Sequence, residues 1–229
     1  MAIVKKYKAE VVSIINIVDN TYTVEFSALG STFKFLPGQF LHLALDEYDP
    51  SSGWPESRCF SMQSAPKDTH LKITFAAKGD FTKRMAAELT NGKVVDIKLP
   101  YGELFQQEHP NSKVVFIAGG TGITPYLSAF NDESFQKYDN PKLYLGVRDA
   151  KYFIYQSELD LAKKINPSLD IFIKNQSIDG ILDIESIFID NGVDATYFIS
   201  GPQTMISVFK KALQAKGVSE NNIRTDDWE

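Results

Sequence analysis

Val114-Val115-Phe116-Ile117-Ala118 is a run of five apolar residues with no polar position among them. A strand without a polar face is buried on both sides, as strands of a parallel sheet covered by helices are. The run breaks at Gly119-Gly120-Thr121-Gly122, where three glycines in four positions allow a sharp turn and close approach of a ligand. Thr124 then supplies an N-cap hydroxyl, Pro125 a preformed first helical turn, and Leu127 and Phe130 continue an apolar helix face. Strand, glycine turn and helix start aim several N–H groups at one point, which makes an anion site of pyrophosphate size. A plain structural turn in a parallel-sheet domain would read the same way. The stretch is neither G-x-G-x-x-G nor a Walker loop, which would carry a lysine after the glycines.

Upstream the pattern is that of short strands. Residues 7–18 and 22–26 are strand-like and joined through Asp19-Asn20, an antiparallel hairpin. Pro37-Gly38 divides 35–43 into a turn and a strand, a polar loop covers 46–57, and 58–62 and 71–76 are again extended. Several short strands with turns between them predict a small barrel. Phe81, Met85, Ala86 and Leu89 recur at helical spacing, with Asp80 or Thr82 as cap, and 93–97 returns to strand. Beyond His109-Pro110-Asn111 strands and helices alternate: strands at 142–147, 169–173, 193–200 and 222–224, helices at 157–164 and 204–216, the last with Met205, Phe209 and Leu213 on one face. The expected fold is therefore two-domain, an antiparallel β-barrel over 1–110 followed by an α/β parallel-sheet domain over 111–229.

Composition narrows the chemistry. The 229 residues suffice for two modest domains, and 43% hydrophobic with 23% charged is globular. A net charge of −5 gives no support for a nucleic-acid surface. Cys59 is the only cysteine, so neither an intramolecular disulfide nor a cysteine-held iron–sulfur cluster can form within this chain. No apolar run reaches the ~18 residues of a membrane span and the start has no cleavage signal, so cytoplasm is the expected location and an integral membrane protein is not. His42, His70 and His109 show no metal-ligand cadence, and no metal site is expected. Cys59 has no histidine near it in the sequence and reads as structural, not nucleophilic.

The chain resembles the ferredoxin–NADP reductase superfamily of two-domain flavoprotein reductases, over nearly its whole length. Arg58-Cys59-Phe60-Ser61 is similar to the family's flavin motif of Arg, any residue, Tyr, then Ser or Thr. Gly79-Asp80-Phe81-Thr82 is similar to its flavin phosphate loop, Leu99-Pro100-Tyr101-Gly102 to the end of its barrel, and Gly119 to Pro125 to its nicotinamide-dinucleotide loop. Ser200-Gly201-Pro202-Gln203-Thr204-Met205 resembles its Cys-Gly-Pro-x-x-Met motif.

The resemblance implies roles. Arg58 grips the flavin phosphates through paired charge-assisted bonds. Phe60 lays its ring on the isoalloxazine without the hydroxyl of the usual tyrosine, and Ser61 hydrogen-bonds near flavin N5. Gly79 and Thr82 serve the flavin pyrophosphate, although Thr82 also reads as a helix cap. Gly119, Gly120, Thr121, Gly122 and Thr124 take the dinucleotide pyrophosphate, with Gly201 and Pro202 as a second close-approach loop. Met205 is either part of that site or a core contact of its helix. Ser200 stands where the family has a cysteine beside the nicotinamide, so hydride-transfer geometry or rate differs while the carrier chemistry stays with the cofactors. Trp228 either covers the flavin ring or anchors the terminus; Tyr101 is packing or a cofactor contact.

FAD is the expected flavin, with FMN the less favoured choice because FMN-binding members commonly add an iron–sulfur domain that one cysteine cannot furnish. The implied activity is NAD(P)H oxidation, with hydride passing to flavin N5. Electrons would then go to a redox protein, an oxygenase component or a ferric chelate. The 2′-phosphate of NADPH asks for a dense basic cluster, whereas Arg148 is followed by Asp149 and Lys174 stands alone on the next strand, so NADH is favoured. The alternative is a flavin-binding regulatory or electron-transfer subunit of a larger complex with little turnover of its own.

Overall fold

A computed structural model describes residues 3–226. The chain forms two compact units, Met1–Glu103 and Leu104–Glu229. The break precedes residue 110 because Leu104 and Phe105 pack into the second core, Phe105 against Phe116 and Phe198.

The first unit carries β1 (Lys5–Val18), β2 (Thr21–Ala28), β3 (Phe40–Ala44), β4 (Ser57–Ser61), β5 (Leu71–Ala76), α1 (Asp80–Glu88) and β6 (Val94–Tyr101). Asp19 and Asn20 take positive φ of 22° and 58° in the β1–β2 turn, a conformation Asp and Asn tolerate better than other side chains. The six strands run antiparallel in the order β4-β3-β6-β1-β2-β5. Just beyond β4, the Gln63 N–H donates to the Lys72 carbonyl of β5 at 2.8 Å, which brings the two edge strands together and curls the sheet into a barrel. Val24, Phe26, Leu41, Leu43, Ile73 and Ile97 are buried in its core, and Phe81 and Met85 of α1 join them.

The second unit carries β7 (Val114–Gly119), α2 (Thr124–Phe130), β8 (Lys142–Val147), α3 (Gln156–Ile165), β9 (Asp170–Asn175), α4 (Gln176–Asp179), α5 (Ile184–Asn191), β10 (Thr196–Ser200), α6 (Gln203–Ala215) and β11 (Ile223–Thr225). Its five strands are all parallel, in the order β11-β10-β7-β8-β9. Alternate residues of β7 feed two cores. Val114, Phe116 and Ala118 meet Tyr126, Leu127 and Leu159 of α2 and α3 on one face. Val115 and Ile117 meet Ile184, Ile187, Ile206 and Phe209 of α5 and α6 on the other. Burial on both faces is why β7 has no polar position.

Helix α5 is absent from the sequence expectation. Its Asp183 cap is legible, since that side chain accepts from the Glu185 amide, but Ile184, Ile187, Phe188 and Ile189 blur the 3.6-residue period, and Ile189 is 78% exposed. No helix among the described residues is long and apolar enough to cross a membrane.

Candidate cofactor sites

In the barrel unit, β4 pairs with β3 in the register Leu43↔Arg58, His42↔Cys59, Leu41↔Phe60 and Phe40↔Ser61. Alternation along β4 leaves Arg58 exposed. Its guanidinium lies 5.1 Å from the centre of the Phe81 ring, at the start of α1, and donates to the Glu56 carboxylate at 2.8 Å. Two motifs twenty residues apart in sequence thus converge on one helix N-terminus. The first-turn N–H groups of α1 have no intrahelical acceptor, and a β-carbon added at Gly79 would meet nothing within 4 Å. Open space, free donors and a guanidinium fit a phosphate; Asp80 in the same turn opposes one, and Arg58 offsets it.

Thr82 acts differently from the expectation. Gly79, neither Asp80 nor Thr82, is the N-cap. The Thr82 hydroxyl accepts from the Lys78 and Gly79 amides at 3.0 and 3.1 Å and donates to the Gly79 carbonyl at 3.0 Å. It shapes the turn that leads into α1. The Phe60 ring meets Phe75 edge-on at 6.1 Å in the barrel core and only 8% of the residue is exposed. Ser61 beside it is buried as well.

Cys59 has a histidine next to it after all, because the β3–β4 register sets His42 across the ladder. The thiol Sγ is 3.5 Å from His42 Nε2. Burial pushes the Cys59 thiol up from its ordinary value and the His42 imidazole down, so burial works against a thiolate–imidazolium pair here. His42 in turn meets Tyr101 edge-on at 4.6 Å, and Tyr101 stacks on Phe40 at 5.6 Å. Tyr101 thus packs on Phe40 and His42 within the barrel unit. Gly102, at φ +87°, is where a β-carbon would stand 2.9 Å from the Phe40 ring.

In the second unit the glycine stretch forms a single 3-10 turn over Gly120–Ile123 and leads directly into α2. The cap of α2 is Ile123. The Thr124 hydroxyl is buried and donates to the Thr121 carbonyl at 3.0 Å, so it fixes the turn and does not cap the helix. Each glycine has its own reason. A β-carbon on Gly122 would fall 2.5 Å from Gly201 Cα, one on Gly119 would fall 2.8 Å from Pro202, and one on Gly201, at φ +146°, would fall 2.9 Å from the Gly119 nitrogen. Three glycines thus interlock the turns that follow β7 and β10. Gly120 is different: φ is +56° and the direction of its β-carbon is open for 4 Å. Met205 closes the packing from α6, its sulfur 3.1 Å from where a Gly119 β-carbon would sit.

This interlock lies at the carboxyl ends of β7 and β10, where the strand order reverses direction between β7-β8-β9 and β10-β11. That is the place where open parallel sheets bind nucleotides. Ser200 ends β10 and is 2% exposed; its hydroxyl donates to the Asp226 carboxylate at 3.1 Å. Asp226 escaped the sequence reading because only the folded β10–β11 pairing brings it to Ser200. On the far side of β8, Asp149 accepts from the Lys151 amide at 3.2 Å and the Ser177 hydroxyl at 3.3 Å, while Arg148 is exposed with its guanidinium 5.5 Å from the Tyr152 ring centre. Asp149 is thus turned towards the end of β9, where Lys174 and Ser177 stand. Trp228 lies outside the described residues. Among the described residues no cluster of three or more His, Cys, Asp and Glu could hold a metal ion.

Residues 4–145, more than half of the chain, match the family model of an FAD-binding domain. The chain belongs to that family, within the ferredoxin–NADP reductase superfamily. Residues 116–211 match the model of an oxidoreductase NAD-binding domain. As a family member it is 30% identical over 166 residues to methane monooxygenase component C of Methylosinus trichosporium, covering 71% of this chain and 44% of that protein. It is 23% identical to a flavohemoprotein of Rhizobium meliloti, over 89% of this chain and 55% of the relative. The chain therefore spans about half the length of these curated relatives. Among solved structures, a ferredoxin–NADP+ reductase from Neisseria gonorrhoeae with bound FAD and NADP superposes with a TM-score of 0.78 at 18% identity, covering 99% of both chains. That likeness carries the two-domain fold of the family to the whole chain.

Proposed function

We propose that this chain is an FAD-dependent NAD(P)H oxidoreductase with a mild preference for NADH, its flavin site in the first unit and its dinucleotide site in the second. The observation that carries the reading is the glycine interlock of Gly119, Gly122 and Gly201 at the carboxyl ends of β7 and β10, which leaves only Gly120 facing open space. Backbone packed that tightly fixes the turn, and the open side admits a dinucleotide phosphate without a β-carbon in the way. Bound FAD supplies an acceptor for the nicotinamide hydride at N5 and carries the electrons onward.

The residues position and hold. Arg58 and the first turn of α1 take the flavin phosphates, with Gly79 leaving room and Thr82 bracing the turn. Cys59, Phe60 and Ser61 would border the flavin from the end of β4. Gly120 and Thr121 present backbone to the dinucleotide, with Thr124 fixing the turn. Pro202 and Met205 hold its outer wall. Ser200, oriented by Asp226, would stand beside the nicotinamide ring. Asp149 accepts from the adenosine ribose, and Arg148 and Lys174 lie near enough to sense a 2′-phosphate. No strong acid or base is required, because the transferred group is a hydride between two cofactors.

The electron acceptor in this reading is an external redox protein, an oxygenase component or a ferric chelate. The named relatives include a monooxygenase component, which favours a protein acceptor. A single cysteine accords with a reducing compartment, and the cytoplasm is the proposed location. Anaerobic stopped-flow absorbance of the flavin-loaded protein mixed with NADH and with NADPH tests the whole reading. Bleaching of the flavin band, faster with NADH, is expected. A flavin that stays oxidised in excess of both donors, in a protein that binds a partner stably, leaves the chain a regulatory subunit and defeats the proposal.

A further inference from the structure

Strand β9 ends the parallel sheet, and its outer edge pairs with no other strand among the described residues. The Asp170 N–H donates inward to the Pro141 carbonyl at 2.9 Å, so residues 170, 172 and 174 spend their backbone groups on β8. By alternation, Ile171 and Ile173 turn their N–H and C=O groups to the free edge. Beyond them the Asn175 amide is taken by the Asp179 carboxylate at 3.0 Å, so the open edge is the stretch from Ile171 to Ile173. Natural sheets blunt such edges with proline, bulges or unmatched charge. Here Asp170-Ile171-Phe172-Ile173-Lys174 has no proline, and its two charges cancel. Phe172 and Ile173 are 46% and 43% exposed, and Phe172 is held against Tyr144 in a stacked contact at 4.8 Å.

We propose that this edge is a homodimerisation surface, in which β9 of one copy pairs antiparallel with β9 of a second copy about a twofold axis at Phe172. The argument is the self-complementarity of the five residues. Centred on Phe172, position 170 faces 174 of the other copy, 171 faces 173, and 172 faces itself. Ile171 and Ile173 then form the hydrogen-bonded pairs, and these are the two residues whose backbone groups point outward. Phe172 falls on the non-hydrogen-bonded pair, where Cα atoms come to about 4.5 Å and side chains touch most closely. Asp170 of each copy faces Lys174 of the other on the same side of the sheet as the paired phenylalanines. Backbone parity, apolar exposure and charge all select one register, and the contact is isologous, so it closes at two copies. A one-residue slip would set inward-pointing backbone groups against outward-pointing ones and lose the match.

Light scattering and sedimentation velocity on the full chain at tens of micromolar give the test. A particle of twice the 25.7 kDa chain mass is expected. Ile173→Pro removes an N–H that points to the free edge and no bond of the ladder with β8, so it should give a folded monomer. Lys174→Glu sets like charges face to face twice and should weaken the dimer at least tenfold. Its register partner in β8 is Gly146, so no cross-strand charge pair of the β8–β9 ladder is broken there. Adding Asp170→Lys to Lys174→Glu should restore the dimer. A wild-type monomer overturns the proposal. So does a dimer that survives Lys174→Glu unweakened, or one that Asp170→Lys fails to rescue, whether or not the proline variant folds.

Discussion

The Ser200 hydroxyl donates to the Asp226 carboxylate at 3.1 Å, and the Asp226 amide donates back to the Ile199 carbonyl at 3.0 Å. One residue after β11 is thereby fastened twice to the end of β10, and the serine hydroxyl is held in one direction. Asp226→Ala should lower kcat for NADH oxidation about tenfold, near 1.4 kcal/mol, with flavin content unchanged. Asp226→Asn keeps an acceptor for the hydroxyl and should retain most of the rate. Steady-state kinetics on both variants decide it, since equal rates in wild type and Asp226→Ala would leave this pair a structural tether.

Arg58 is held by Glu56 at 2.8 Å over the ring of Phe81. Both partners are half exposed, so the ion pair itself adds little stability. Its consequence under the proposed function lies in binding: a flavin phosphate would compete with Glu56 for the guanidinium. Arg58→Ala should weaken FAD binding by about 1.5–3 kcal/mol, the worth of a charge-assisted bond, and shed flavin on gel filtration. Glu56→Gln should bind FAD at least as tightly as wild type. Fluorescence titration of apoprotein with FAD measures both, and loss of affinity in Glu56→Gln would show that the carboxylate supports the site and does not compete with it.

Much of the fold was legible because its strands carry their burial in their composition. The all-apolar β7 and the helical spacing of Phe81 and Met85 follow directly from which faces are covered. The β1–β2 turn was equally plain from Asp19-Asn20. Helix α5 was hidden because Ile189 puts an apolar residue on the solvent face. In the site, the motifs were visible but their division of labour was not. Whether a glycine is needed for packing, as Gly122 is, or for conformation, as Gly120 is, depends on what lies across from it on another strand. The same holds for His42 beside Cys59, neighbours only through the β3–β4 register, and for Asp226.

The glycine assignments separate cleanly by substitution. Gly122→Ala drives a β-carbon into the Gly201 backbone at 2.5 Å and should cost about 1–3 kcal/mol or more of stability, read as a lower urea midpoint. Gly120→Asn places a side chain that tolerates positive φ into open space. It should melt close to wild type and yet bind NADH more weakly. Unchanged NADH affinity in a well-folded Gly120→Asn would take that turn out of the dinucleotide site.

His109 gives the second unit a pH dependence. Its Nδ1 lies 2.8 Å from the Gln107 carbonyl, which can only accept, so Nδ1 carries the hydrogen and Nε2 accepts from the Tyr138 hydroxyl at 2.7 Å. Burial lowers the ring's pKa, outweighing the Gln107 carbonyl, which favours the charged form. A depressed folded pKa means stability that is fully present above the unfolded value of about 6.5 and is lost as pH falls through the folded value. Melting temperature should be flat from about pH 8 to 7 and decline below about 6.5. His109→Phe should flatten part of that decline, the remainder belonging to His42, which burial shifts the same way. Parallel melting curves for wild type and His109→Phe across this range would remove His109 from the account.

Donor choice rests on where Asp149 points. Its carboxylate is turned to the Lys151 amide and to Ser177 beyond the end of β9, while the Arg148 guanidinium lies by the Tyr152 ring. A free ribose diol asks for an acceptor, and a carboxylate past a parallel strand is the group that supplies one; a 2′-phosphate asks for clustered cations and is repelled by the same carboxylate. We expect kcat/KM to favour NADH by at least about threefold, somewhat under 1 kcal/mol. Asp149→Ala should move the ratio towards NADPH, because it removes the acceptor and the repulsion together while leaving Arg148 and Lys174 in place. Arg148→Ala should depress NADPH turnover more than NADH turnover. Steady-state kinetics with both donors across the three proteins give the ratios directly. A wild-type preference for NADPH that disappears in Arg148→Ala would assign the guanidinium to the 2′-phosphate and reverse the order argued from Asp149.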